Sequence, residues 1–473
     1  MTIKLGKCHL MGKKLLFICI CAALTGCQQT AEYQLSQQIN QPENWQTDIS
    51  ADVEEKQYLY LADWLKSSLL KSLLERALAE NFDVQLKRLE LEKAQQRLIQ
   101  AGSSLWPDAD LSFGSSRSSS SSGEPSTSHN LSLTASYQID IWGKLSRAEQ
   151  IAQLSYQKAK IELESAELNL VSQVTQLWFN KAAQVQTYKL LQKRYANVQS
   201  NLDIIENGYK SGLNSALDVY LTRNSLESEK STLVQQQQAI EATNRRLQVL
   251  LGNYPHKDLQ TDINLDDLSY SFPNELPSEL IKARPDIKQA WIDVLIDDAS
   301  LAIAHKNRFP GIRLSASISD SQNSLSDLLS NGLGWSLAAS ITQPLFRAGE
   351  LKAEQMIAEL NLKQTEVSYV KALYTAFEAV ELALAEYQSL RQRLIHSENS
   401  KVNAEKAEQL AFEQYLAGIS SYATYLEAQR RAFNANSDVI GLKRDIILNQ
   451  IELHQALGGD YAVASLRGDS GVE

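Results

Sequence analysis

The chain has 473 residues, 43% of them hydrophobic and 22% charged, with few glycines and prolines for its length and a formal net charge of -10. This is the composition of a folded protein rich in long helices, and no apolar run approaches the ~20 residues needed for a membrane-spanning helix. The acidic balance argues against nucleic acid or an anionic lipid surface as a partner.

In chain order, the first feature is Lys13 and Lys14, then the apolar run "LLFICICAAL" and "LTGC" at 24 to 27. A basic start, a short apolar core and a small-residue ending describe an export signal over residues 1–26. All four cysteines, Cys8, Cys19, Cys21 and Cys27, lie in the first 27 positions. "LTGC" resembles the lipobox of bacterial lipoproteins, which implies cleavage before Cys27 and a covalent lipid (diacylglycerol and N-acyl, such as palmitate) on that residue. Gln28, where lipoproteins retained at the inner membrane carry aspartate, implies the outer membrane. The signal holds four lysines and no acid, so the mature charge is 42 minus 56, or -14. An anchored extended segment, 27–68, follows.

From residue 69 the sequence is written twice. "NFDVQLKRLELEKAQQRLIQAGSSLWPDADLSFG" from 81 is answered by "RPDIKQAWIDVLIDDASLAIAHKNRFPGIRLSAS" from 284, with Asp83 against Asp286, 203 apart. Further on Gly143 matches Gly349, Gly212 matches Gly418 and Gly252 matches Gly458, each 206 apart. The expected units are a first repeat at 69–252, a linker at 253–273, a second repeat at 274–458 and a tail at 459–473. In each, a helix runs into "WP" or "FP", where proline resets the chain to extended structure.

Strands are expected at 105–118 and 130–142, then at 309–319 and 333–346. "NLSLTASYQIDIW" alternates Leu131, Leu133, Ala135, Tyr137, Ile139 and Ile141 with small polar residues, and "GIRLSASIS" and "WSLAASIT" do the same. The serine-rich stretch 115–128 between the first two reads as a loop. Alternation alone fits a soluble sandwich or a barrel with lipid outside and water inside. Four strands cannot close a barrel, and open edges are not tolerated in hydrocarbon, so a membrane role requires several chains to pool strands.

After each strand pair, 144–207 and 350–417 contain neither glycine nor proline, enough for rods of ~95–100 Å. Leu154, Ile161 and Leu168 recur every seven residues, as do Ala353, Leu360 and Val367, giving two coiled-coil-like seams. Second helices follow at 213–251 and 419–457, with Gly208, Gly212 and Gly418 near the turns.

"DIWGKL", "NRFPGIRLSAS", "TQPLFRAGEL" and "YLAGISSYATYLEAQR", in this order and doubled arrangement, resemble the outer membrane factors of the TolC type, in the lipoprotein branch that serves tripartite efflux pumps. The resemblance covers nearly the whole mature chain. It implies a mainly helical fold with a membrane β-barrel: a homotrimer pooling four strands per chain into a 12-stranded barrel, continued by helical hairpins as a periplasmic α-barrel. It implies passive export of small toxic compounds, with a periplasmic adaptor, a proton-driven inner-membrane pump and outer membrane lipid as partners. The exit duct of a type I protein secretion system and, further off, a periplasmic coiled-coil adaptor are alternatives. In the family an acid six positions after the first hairpin-turn glycine lies near a tyrosine three before the second. Here those positions are Asp218, after Gly212, and Tyr415, before Gly418. Thr424 departs from the acid expected in the second copy and Glu427 keeps one, so the gate candidates are Asp218, Tyr415 and Glu427. Scattered histidines and the absence of a phosphate loop, nucleophile elbow or dinucleotide fingerprint point away from catalysis and from a metal site.

Overall fold

The computed structural model describes residues 67–119, 123–255, 265, 282–330 and 332–459. The signal sequence, Cys27, the anchored segment up to residue 66, most of the linker and the tail after 459 lie outside the described residues, and α1 already begins at Ser68, the last position of the expected anchored segment. The elements are α1 (Ser68–Glu80), α2 (Phe82–Ser103), β1 (Asp108–Ser118), β2 (Ser126–Ile139), α3 (Lys144–Lys210), α4 (Ala216–Leu250), α5 (Pro285–Lys306), β3 (Gly311–Gln322), β4 (Gly334–Thr342), α6 (Glu350–Leu416) and α7 (Tyr422–Ala456). A 3-10 turn, Leu325–Asp327, lies between β3 and β4.

The duplication is kept in the lengths. Both α2 and α5 have 22 residues, α3 and α6 have 67, and α4 and α7 have 35. At ~1.5 Å per residue the long rods run ~100 Å. Capping sets the boundaries: Ser67 accepts from Leu70 N at 3.1 Å, and Asn81 closes α1 while accepting from Asp83 N and Val84 N to start α2. The main apolar core lies where α1 tucks against α3 and the ends of α4 and α7. There Leu70, Leu74, Trp178, Phe179, Leu247, Leu251, Ile447 and Ile451 are buried. The apolar face of α1 supplies the leucines that the sparse stripe of a long rod lacks.

The four strands form one antiparallel sheet in the order β1-β2-β3-β4. Register places Leu111, Leu133, Ile318 and Trp335 in one row and Ala109, Ala135, Ala316 and Leu337 in the next, all on one face. The other face is hydroxylic, with Ser112 bonded to Ser132 at 2.7 Å and Ser317 to Ser336 at 2.8 Å. Trp335, Leu337, Ile341 and Leu111 are each at least 70% exposed, so none of the described residues covers the apolar face there. Nor does any described helix reach the length and hydropathy of a membrane span.

Several expected boundaries move. β1 and β3 begin after Pro107 and Pro310, later than 105 and 309, because the preceding residues still bond back to the helix: Trp106 N donates to Ser103 O and Phe309 N to Lys306 O. β2 ends at Ile139, short of 142, because the Asp140 carboxylate turns to accept from Leu145 N and Ser146 N and starts α3. β4 ends at Thr342, short of 346, two residues before Pro344. The serine-rich stretch is partly strand, since Ser115 to Ser118 pair with Ser126 to His129 through the backbone ladder, which needs no apolar side chain.

The two seams also part company. Leu154 and Leu168 are buried, because α3 packs against both α2 and α5. Leu360 and Val367 are 57% and 69% exposed, because α6 packs on α5 and no described helix takes the place that α2 occupies beside α3.

Candidate functional site

The hairpin turns are built alike. Gly212 and Gly418 have φ of 76° and 72°, the left-handed conformation that ends α3 and α6. Leu213 N then closes on Gly208 O at 2.8 Å and Ile419 N on Gln414 O at 2.9 Å. The return helices start on Ser215 and Ser421. In the first, Ser215 Oγ accepts from Asp218 N while Asp218 Oδ2 accepts from Ser215 N and Oγ, a reciprocal capping box. In the second, Thr424 stands where Asp218 does and meets Ser421 through its hydroxyl at 3.0 Å. The first cap thus uses a carboxyl group where the second uses a hydroxyl.

The two tips are joined by one cluster. Ile205 and Val219 of the first hairpin pack with Ala411, Phe412, Tyr415, Tyr422 and Tyr425 of the second. The rings run in series, Phe412 to Tyr425 at 5.0 Å, Tyr425 to Tyr422 at 5.7 Å and Tyr422 to Tyr415 at 5.1 Å between centroids. Burial raises the pKa of Tyr415 and of Tyr422, and the charge of Asp218 adds to both. Asp218 therefore faces the same cluster as Tyr415. The hydrogen bond between them is not formed within the chain: the carboxylate is held by Ser215, and the Tyr415 hydroxyl is enclosed without a hydrogen-bond partner.

Deeper in, the hairpins are pinned by polar groups that sequence reasoning missed. Tyr425 Oη accepts from Asn201 Nδ2 of the first hairpin and Gln429 Nε2 of its own, both at 2.9 Å, and burial pushes its pKa up to about 12. Arg194 of α3 meets Glu229 of α4 at 3.0 Å and lies 4.5 Å over the Phe433 ring of α7. Burial lowers the Arg194 pKa and raises that of Glu229, so desolvation outweighs the pairing on both sides. The signal that could have found the cluster is the doubled aromatic i, i+3 spacing, Phe412 with Tyr415 and Tyr422 with Tyr425, which puts rings on facing sides of one hairpin.

Glu427 sits apart. Its carboxylate is held by Arg431 at 2.9 Å and Arg430 at 2.8 Å on the same helix, which lowers its pKa. Among the described residues no group of His, Cys, Asp or Glu is arranged to hold a metal ion.

Comparison with known proteins adds a family and a template. The family model described as outer membrane efflux protein matches residues 73–253 and 276–459, the two repeats with a break at the linker. The chain is 27% identical over 460 residues to the cation efflux system protein CusC of Escherichia coli O6:H1, covering 95% of this chain and 99% of that one. It is 26% identical over 458 residues to the probable outer membrane lipoprotein SilC of Salmonella typhimurium, with the same coverage. A crystal structure of CusC superposes with a TM-score of 0.80 at 25% identity, covering 89% of this chain and 97% of that one.

Proposed function

We propose that this chain, which belongs to the outer membrane efflux protein family, works as a homotrimeric, lipid-anchored exit duct for small toxic solutes that an inner-membrane pump and a periplasmic adaptor deliver to it. The observation that carries the reading is the four-stranded sheet. Among the described residues one face is apolar and uncovered, the other is lined by hydroxyls, and both edges are open. Such a sheet is tolerable in a bilayer only when copies of the chain close it into a barrel. Three copies give twelve strands, and the ~67-residue rods below the sheet are long enough to line a duct across much of the periplasm. The channel needs no recognition pocket, so the pump sets the substrate. The relative named for cation efflux and the family's description as efflux proteins support small solutes over secreted proteins.

Cys27 is the residue proposed to carry the lipid, supported by its lipobox and by the lipoprotein name of SilC. Protein extracted from outer membranes should have the intact mass of a chain starting at Cys27 with diacylglycerol and an acyl group attached, and C27A should lose that mass. A free thiol at Cys27 in native protein overturns the assignment.

The hairpin tips are proposed as the gate, with Asp218 and Tyr415 as its polar pair, Glu427 as an outlying acid and Gly212 and Gly418 as the hinge turns. What supports this is that Tyr415 belongs to a cluster that joins the two tips and that the charge of Asp218 acts on Tyr415 and Tyr422 within it. A charge-assisted contact completed in the closed trimer is worth about 1.5–3 kcal/mol before solvent exposure is discounted, repeated by symmetry. D218N, which keeps a capping side chain, and Y415F should each raise resting conductance in planar bilayers, and the double variant should match the larger single effect. S215A, which removes the hydroxyl from the cap and leaves the Asp218 carboxylate in place with its bond from Ser215 N, should not. Parental conductance in both single variants removes the pair from the gate, and an equal rise in S215A reassigns the effect to helix capping.

A further inference from the structure

The second strand pair is closed by a loop unlike that of the first. Between β1 and β2 the chain reads "SSSSGEP", while between β3 and β4 it reads "NSLSDLLSNGL". In the latter Leu325, Leu329 and Leu333 are 60%, 60% and 55% exposed. Three uncovered leucines on a short loop are unfavourable in water, and the backbone makes the arrangement dearer. Leu329 takes a φ of 69°, a left-handed conformation that a side chain with a Cβ adopts only under constraint.

The constraint is Asp320. Its Oδ2 accepts from Leu329 N at 2.7 Å and its Oδ1 from Gln322 Nε2 at 2.8 Å, and the residue is only 6% exposed. On β3 the apolar face carries Ile312, Leu314, Ala316 and Ile318, and by strand alternation Asp320 continues that face, opposite Leu131 of β2. An acid at the upper rim of the apolar band therefore fastens the loop on the side of the sheet away from the hydroxyl-lined face. The apolar rows run from Ile139 to Leu131 of β2, the nine to eleven residues expected of a bilayer-crossing strand, so Leu329 is tied down where the hydrocarbon ends.

We propose that the β3–β4 loop is an outer-leaflet anchor, with Asp320 latching Leu329 back over the lipid-facing rim so that Leu325, Leu329 and Leu333 enter the acyl layer. This rests on the membrane reading of the sheet. Burying leucine side chains in acyl chains offsets the strained backbone, and the latch leaves the carboxylate hydrogen-bonded where an unpaired one would be intolerable. The serine-rich loop of the first repeat carries no such residues, so one loop per chain serves as the anchor.

The test uses full-length protein in phospholipid vesicles, with spin labels on single cysteines at L325C and L329C. L337C in the middle of the apolar band and S119C beside the first loop serve as references. Relaxation by oxygen, which concentrates in acyl chains, is compared with relaxation by a water-soluble nickel chelate. The labels at 325 and 329 should be relaxed more by oxygen than by nickel, as at 337, and the label at 119 the reverse. In a D320A background the label at 329 should become nickel-accessible while that at 337 stays as before. Nickel dominance at 325 and 329 with oxygen dominance at 337 overturns the anchor and leaves the membrane reading intact, whereas nickel dominance at 337 as well removes both. Labels at 325 and 329 shielded from both reagents mean a neighbouring copy covers the loop, and an unmoved label in D320A means Asp320 is no latch. Each result defeats the proposal.

Discussion

At the scale of single residues, the helical part keeps polar groups inside its helix pairs, and their ionisation ties stability to pH. His454, near the end of α7, has its Nε2 sealed from solvent without a hydrogen-bond partner, and burial lowers its pKa to about 4. An unfolded chain binds a proton at this position below about pH 6.5 and the folded chain does not until about pH 4, so stability should fall as pH is lowered through that window. The full shift is worth about 3 kcal/mol, and less to the extent that the ring edge meets water. H454L, which cannot titrate, should flatten the acid limb of the melting temperature between pH 6.5 and 4 in detergent. Parallel limbs for parent and variant would show that His454 ionises freely in the folded state. Tyr425 is no such switch, since burial takes its hydroxyl further from physiological pH.

At the scale of elements, the sequence was most readable where one physical signal dominated. The absence of glycine and proline over 144–207 and 350–417 led to the long rods, and the 206-residue spacing of the glycine pairs led to equal hairpins. Alternation found all four strands, because a sheet with one apolar and one hydroxylic face has a period of two whatever covers it. It failed at the ends. Ile141 continues the apolar pattern, yet Asp140 between it and the strand is drawn off to cap α3, a choice set by a turn rather than by hydropathy. It failed also in the serine run, where register with a partner strand decides and composition is silent. At the tips the turn glycines were legible from their 206-residue spacing, and Asp218 was singled out only through the family resemblance. The Tyr422–Tyr425 cluster and the Arg194 brace were not, since they join residues more than two hundred positions apart, as with Asn201 and Tyr425.

At the scale of the whole molecule, the duplication makes the single chain visibly unfinished and says how a neighbour completes it. Besides its own hairpin partner, α3 is flanked by both α2 and α5, whereas among the described helices α6 has only α5 in addition to α7. Along the open side of α6 run Met356, Ile357, Leu360 and Val367, and along the outer side of α2 run Phe82, Leu86 and Leu89, all exposed. The same holds at the foot of the sheet. Phe309 packs on Trp142 at 5.0 Å, while its repeat equivalent Trp106 is 75% exposed at one edge and Leu345 and Phe346 are about 90% exposed at the other. If the next copy presents α2 to α6 as this chain presents α5 to α3, contacts across the interface follow from contacts within the chain by adding 206 on the rods and subtracting 203 on the short helices. Lys158 meets Asp293 at 2.7 Å, and the rule maps this pair onto Gln364 of one copy and Glu90 of the next. Because such a contact joins unlike surfaces, it must close a ring or grow without limit, and four strands per chain with a barrel to fill favour closure at three. A chain carrying both E90C and Q364C, treated in the membrane with a short bis-maleimide, should therefore run as covalent dimers and trimers and no larger species. Either single variant should remain monomeric in denaturing gels. Cross-linking that stops at dimers would replace the threefold ring by a twofold pair, and no cross-linking with both thiols shown reactive would mean that α6 and α2 face something other than each other.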